Sequence, residues 1–244
     1  FADRRLNDWA GNWLCAFPVF TSLTLYRPYH LRHHRFTQQA EDPDLGLSRA
    51  FPTSRASLRR KILRDLTGQT AFLRRGEQLR RALGPAESPI GVQLGNLWRA
   101  EKGPLMANIC LLAGLSAAGH WWLYPVMWLL PLATWYQLVS RIRNIAEHAV
   151  VPDDDDPLRN TRTTYANPIT RLLVAPFWVN FHLEHHLLMF VPCWRLPQAH
   201  RAMLDGGHRL SMELKPGYLA VLKAATTGAQ SDGRGPAERT AQHI

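Results

Sequence analysis

Apolar and polar positions are segregated along this chain into long blocks. Residues 9–26 hold no Asp, Glu, Lys or Arg, and neither do residues 104–140. Between the two blocks lies a basic stretch, with ten Lys and Arg residues from Arg49 to Arg81. A helix needs about 20 apolar residues to cross the hydrocarbon core of a bilayer. The first block, Trp9 to Tyr26, is predicted to be one such span, kinked at Pro18. The second is too long for one span and predicts a helical hairpin, 104–120 and 122–140, turning at Gly119 and His120. Trp121, Trp122 and Tyr124 suit a membrane interface, and the bias of Lys and Arg towards the cytoplasm places residues 27–103, Arg141 and Arg143 there. Residues 54–66 and 70–83 carry helix-compatible spacing, such as Leu58, Ile62 and Leu66, and predict amphipathic helices. Residues 165–181 are apolar but short and contain Pro168, Arg171 and Pro176, which predicts an interfacial or re-entrant segment. The expected fold is therefore all-α and integral to a membrane: transmembrane helices with a helical cap on the cytoplasmic face. That architecture occupies residues 1–225, followed by a disordered tail over 226–244, rich in Gly, Ser, Thr and Gln. The expected location is multi-pass, in a bacterial inner membrane.

The formal charge of +10 fits that topology, because the basic stretch lies between the two uncharged blocks. Nucleic-acid binding is not indicated, since no recognition motif accompanies the basic residues. The acidic run Asp153 to Asp156 reads as a solvated loop. Cys15, Cys110 and Cys193 form no C-x-x-C pair, which excludes a zinc ribbon and a disulfide scaffold. The chain opens on Phe1 in a polar stretch, and is expected to be a piece of a longer sequence.

Of eleven histidines, seven fall in three clusters: His30-Leu-Arg-His33-His34, Asn144-Ile-Ala-Glu-His148 and His182-Leu-Glu-His185-His186. On a helix, positions i, i+3 and i+4 lie at about 0°, 300° and 40°, so an H-x-x-H-H triplet shares one face. Asn144 and His148, at i and i+4, do the same. Each cluster can thus aim its ligands at a single point. In the expected topology all three meet at one membrane face, with His120 on the other side and His200, His208 and His243 as ordinary residues. A thiolate-free, imidazole-rich site suits zinc, copper, iron or nickel. Seven histidines and an amide exceed one tetrahedral ion and point to two metals. No H-E-x-x-H is present, so a zincin is not indicated.

These stretches resemble the membrane fatty acid desaturase family. Tyr26-Arg-Pro-Tyr-His-Leu-Arg-His-His-Arg-Phe-Thr, with Glu41-Asp-Pro-Asp-Leu after it, is similar to the family's second histidine box. His182-Leu-Glu-His-His-Leu is similar to its third, and Asn144-Ile-Ala-Glu-His to a further ligand site. The resemblance implies two iron ions held by His30, His33, His34, His148, His182, His185 and His186, with Asn144 binding through a water or more weakly. It implies dioxygen as co-substrate, a lipid acyl substrate, and a cis double bond as product. Asp42, Asp44, Glu147 and Glu184 are expected either to hydrogen-bond the far imidazole nitrogens or to be exposed charges. No flavin or nucleotide fingerprint is present, so a separate ferredoxin-like or cytochrome b5-like electron donor is expected; an acidic one would suit the region from Arg49 to Arg81.

The family's first box has no counterpart here, as no histidine precedes His30. Truncation is the expected cause, and poor iron binding the expected consequence. A hydroxylase or ketolase of the same scaffold, acting on alkanes, carotenoids or sphingolipids, stays open. So does an inactive fragment. A membrane metal-binding or transport protein is disfavoured by the uncharged run 104–140, since intramembrane charges mark such pathways.

Overall fold

The computed structural model describes residues 3–227. The tail expected over 226–244 lies outside them from 228 onward, while Thr226 and Thr227 close the last helix. The helices in chain order are α1 (Arg4–Ala10), α2 (Leu23–Arg35), α3 (Leu45–Ser48), α4 (Arg55–Leu66), α5 (Gln69–Leu83) and α6 (Ile90–Ala117), then α7 (Leu130–Ala133), α8 (Trp135–His148), α9 (Pro168–Leu173), α10 (His182–Leu187), α11 (Leu196–Asp205) and α12 (Tyr218–Thr227). Two short strands, β1 (Thr163–Thr164) and β2 (Leu214–Lys215), pair in parallel, Thr163 with Leu214 and Thr164 with Lys215. Local signals set several of the helix ends. The Asp3 carboxylate accepts from Leu6 N at 2.7 Å to start α1, Asn167 caps α9, and Gly84 ends α5 at φ 85°. The chain divides into two compact units, Phe1–Leu31 with Ile62–Leu138, and Arg32–Lys61 with Val139–Ile244.

In the first unit an irregular connection follows α1. It comprises a π turn over Gly11–Ala16, a 3-10 turn over Phe17–Val19, and Phe20 in the left-handed region at φ 59°. Side chains bond several backbone carbonyls of this connection. Trp128 Nε1 donates to Pro18 O at 2.9 Å, Gln78 Nε2 to Phe20 O at 2.9 Å, and Asn108 Nδ2 to Phe17 O at 3.1 Å. Asn108 also donates to Pro104 O within α6 and accepts from the Tyr124 hydroxyl. Gly103 is required there, because a Cβ would stand 2.5 Å from the Phe17 ring. Part of the basic stretch meets acidic partners: Arg75 pairs with the half-buried Glu101, while Arg80 and Arg81 pair with Glu77 on the exposed surface of α5.

Among the described residues no helix is long and apolar enough to cross a membrane. This overturns the expected integral membrane fold, its spans at 9–26, 104–120 and 122–140, and the multi-pass inner-membrane location. The reason is that charge-free runs and helices do not coincide. The 9–26 run is divided between α1, two irregular turns and α2. In α6, Arg99, Glu101 and Lys102 occupy the middle, leaving only residues 103–117, about 22 Å of helix against a core of about 30 Å. The next uncharged stretch breaks at Thr134 (φ −120°, ψ −80°) before α8 begins. Apolar side chains of these runs nonetheless remain exposed, among them Ile109 and Met127.

The second unit is organised around α8, α10 and the strand pair. Ile145, Leu183, Leu196, Val221 and Ala225 form its apolar core, each at most 2% exposed. Residues 161–164 run through it as Thr161, Arg162, Thr163 and Thr164, all buried. The strand fixes the approach to α10: Thr164 N donates to Asn180 O at 3.0 Å, and Thr163 bridges to Phe181, one residue before His182. Thr53 N donates to Ala225 O at 2.8 Å, tying the segment before α4 to α12.

Candidate metal centre

Within the second unit three helical segments carry imidazoles: the last turn of α2 brings His33 and His34, the end of α8 brings His148, and α10 brings His182, His185 and His186. One possible donor atom from each of His33, His148, His182 and His186 lies within 4.8 Å of the others. His182 Nε2 is 2.8 Å from His148 Nε2 and 3.0 Å from His186 Nε2. Beside this group, His34 Nε2 meets His185 Nε2 at 3.1 Å. The two sets abut, for the His34 and His186 rings stack with centroids 4.1 Å apart.

The triplets do not converge on a single point. In α10, His182 and His186 serve one set and His185 the other. In α2, His33 and His34 part in the same way. Positions i+3 and i+4 lie about 100° apart around a helix, so they flank a face instead of sharing its midline. His30 stands one turn before His34 on α2, with its ring stacked on Tyr26 and Nδ1 3.3 Å from the Tyr26 hydroxyl. Asn144 stands one turn before His148 on α8 and is half-buried.

The polar surroundings aim these rings. His33 Nδ1 lies 2.8 Å from Asp42 Oδ1, with Asp44 Oδ2 at 3.8 Å. Asp42 is itself held by the backbone N–H groups of Asp44 and Gln38, at 2.8 and 2.9 Å. Burial pushes the Asp42 carboxyl up, but the His33 hydrogen bond and those two N–H groups carry it below the usual range. His186 Nδ1 lies 3.1 Å from Thr37 Oγ1. Nδ1 of both rings is thereby engaged and Nε2 is left for a ligand. Burial, reinforced by the neighbouring imidazoles, holds His182 and His186 well below the ordinary histidine value. Both are neutral at pH 7, the form a metal requires.

The remaining carboxylates take different places. Glu147 accepts from Arg143 Nε at 3.0 Å, and its other oxygen lies 3.8 Å from His182 Nδ1, beyond hydrogen-bond range. Burial pushes the Glu147 carboxyl up against the opposing pull of Arg143. Glu184, fully buried between His182 and His185 in the chain, bonds Thr163 Oγ1 and, at 2.6 Å, His200 Nδ1. Asp44 reaches His33 only at 3.8 Å.

Several contributors escape a sequence reading. Thr37 orients His186. Gln38, in the left-handed region at φ 65°, donates to His148 O at 2.6 Å and Asn160 O at 3.2 Å, joining the end of α2 to the end of α8. His200 is buried against Glu184, although it lacks the spacing of a histidine box. The only cue for Thr37 and Gln38 is that they follow the first H-x-x-H-H triplet directly.

Asp42→Asn tests the orienting role. The amide keeps the shape and loses the anionic acceptor, so metal affinity is expected to fall by about 10–100-fold with the fold intact. Competition against a chelator measures it, and unaltered affinity would remove Asp42 from the centre.

Comparison with known proteins agrees with the geometry. The fatty acid desaturase family model matches residues 1–214, so the chain belongs to that family. A relative from Bradyrhizobium elkanii, named a dihydrorhizobitoxine desaturase, is 26% identical over 211 residues. The match covers 81% of this chain and 58% of that relative, so the chain spans little more than half of the relative's length. No solved structure matches.

Proposed function

We propose that the protein is an oxygen-dependent desaturase that introduces a double bond into an acyl chain at a histidine-held pair of irons. The observation that carries this reading is the pair of abutting imidazole sets, free of thiolate, with Nδ1 of His33 and His186 already engaged. That donor set fits iron. His33, His148, His182 and His186 would hold one ion. His34 and His185 would hold the other, with His30 one turn back on the same helix and Asn144 as a weaker contributor.

Bound iron would supply the oxidising power, drawn from dioxygen and two external electrons, that removal of hydrogen from an unactivated methylene demands. The protein's own part is to keep the imidazoles neutral and correctly turned. The name of the Bradyrhizobium relative supports dehydrogenation as the reaction type. The electrons are assigned to a separate ferredoxin-like or cytochrome b5-like donor.

The test is product analysis after expression with iron, a reductase system and a panel of acyl substrates. The expected product lacks two hydrogens, and its formation requires both iron and dioxygen. A hydroxylated product with no new double bond would overturn desaturation in favour of oxygen insertion. Failure to bind iron would overturn the metal assignment.

A further inference from the structure

The second unit contains a cavity of about 600 Å3 that the histidine centre does not use. Its wall includes Arg171, Trp178, Asn180, Phe181, Tyr218 and Leu219. Among the described residues, three of the residues lining this cavity each carry a buried polar atom that lacks a hydrogen-bond partner: Arg171 Nε, Asn180 Oδ1 and Tyr218 Oη. Asn180 is 3% exposed and Tyr218 8% exposed, so neither side chain is well placed to find bulk water instead. A buried polar group left unsatisfied is costly, and three on one cavity mark a place built for a ligand.

The chemistry of the three atoms narrows the class. Arg171 lies with its guanidinium 4.3 Å above the Trp178 ring, a contact that fixes the cation while leaving Nε–H to donate. Burial pushes the Tyr218 phenol well above its ordinary value, with Glu147 adding to the effect and Arg143 opposing it, so the hydroxyl keeps its proton and donates. Arg171 Nε and Tyr218 Oη are donors, and with the fixed positive charge they call for anionic oxygen, whereas Asn180 Oδ1 is an acceptor and takes no part in that contact. Trp178, Phe181 and Leu219 offer apolar surface to a carbon chain attached to that head, and Phe181 directly precedes His182.

We infer that this cavity receives the anionic head, carboxylate or phosphate, of an amphipathic substrate, with Arg171 Nε and Tyr218 Oη donating to its oxygens. The assignment of that ligand as the substrate rests on the desaturase reading; the binding itself does not.

Calorimetric titration of the metal-free full chain tests it, with octanoate, octyl phosphate, acetate and octanol as probes. Octanoate or octyl phosphate is expected to bind at least tenfold more tightly than octanol. Arg171→Gln and the nearly isosteric Tyr218→Phe are each expected to weaken that binding about tenfold. Circular dichroism and melting confirm that each variant is folded. Equal affinity for octanol, or unchanged binding in both variants, overturns the site. Acetate binding as tightly as octanoate shows a free-anion site and overturns the substrate assignment. These titrations use neither metal nor oxygen, so a failure of desaturation leaves their outcome intact. In an active preparation Arg171→Gln is expected to raise KM about tenfold with kcat unchanged; an unchanged KM overturns the link to substrate.

Discussion

Replacing His182 with alanine is expected to remove at least one bound metal ion and to lower product formation by more than about 100-fold, beyond the usual effect of losing an orienting partner. His182 sits in the middle of the larger imidazole set, 2.8 Å from His148 and 3.0 Å from His186 across their Nε2 atoms. Its ring is buried and neutral, so alanine leaves a gap where a donor stood and adds no compensating charge. Elemental analysis of the purified protein gives the metal content, and the acyl product assay gives the activity. His208→Ala is the control. His208 is exposed on a 3-10 turn outside both imidazole sets, and its loss is expected to change neither quantity. Full metal content in His182→Ala would exclude the larger set as a metal site.

The largest effect on stability is expected at Arg162, which lies outside the metal sets. Arg162 is 1% exposed, and its guanidinium closes the carboxyl end of α8. It donates to Ala146 O at 3.2 Å, Ala149 O at 3.0 Å and Val150 O at 2.7 Å, and pairs with Glu213 at 3.0 Å. Val150 occupies the left-handed region at φ 54°, where a β-branched residue is strained, and the Arg162 hydrogen bond helps to hold it there. Burial lowers the Arg162 pKa, while Glu213 opposes that shift. In Arg162→Met three helix-end carbonyls lose their shared donor, although Lys215 still stands 3.1 Å from Glu213. The expected loss is about 3 kcal/mol, a large share of the roughly 5–15 kcal/mol typical of a domain. Urea unfolding measures it. Because α8 ends in His148, metal affinity is expected to fall as well. A change below about 0.5 kcal/mol, the range of a neutral surface substitution, would show that the buried fork is not holding the turn.

The histidine boxes were legible because their chemistry is local. Imidazoles at i, i+3 and i+4 stand out in any helix-forming stretch, and Asp42 follows the first triplet closely enough to suggest a partner. The expectation that the clusters meet agrees with the sets formed by His33, His34, His148, His182, His185 and His186. The route to that expectation was wrong, since it invoked a shared membrane face. Counting uncharged residues treats a run as a helix, whereas Phe20, Thr134 and the charges within α6 interrupt the runs here.

What the chain determined by itself is where its imidazoles cluster, because a residue's identity and its spacing along a helix are properties of neighbours in sequence. Which imidazole faces which partner was decided only by packing. Helical spacing cannot say that His33 and His34 part to different sets, that Gln38 reaches the end of α8, or that Arg162 closes it. Each depends on contacts between residues far apart in the chain, whose geometry exists only once helices and strands have buried their apolar faces against one another.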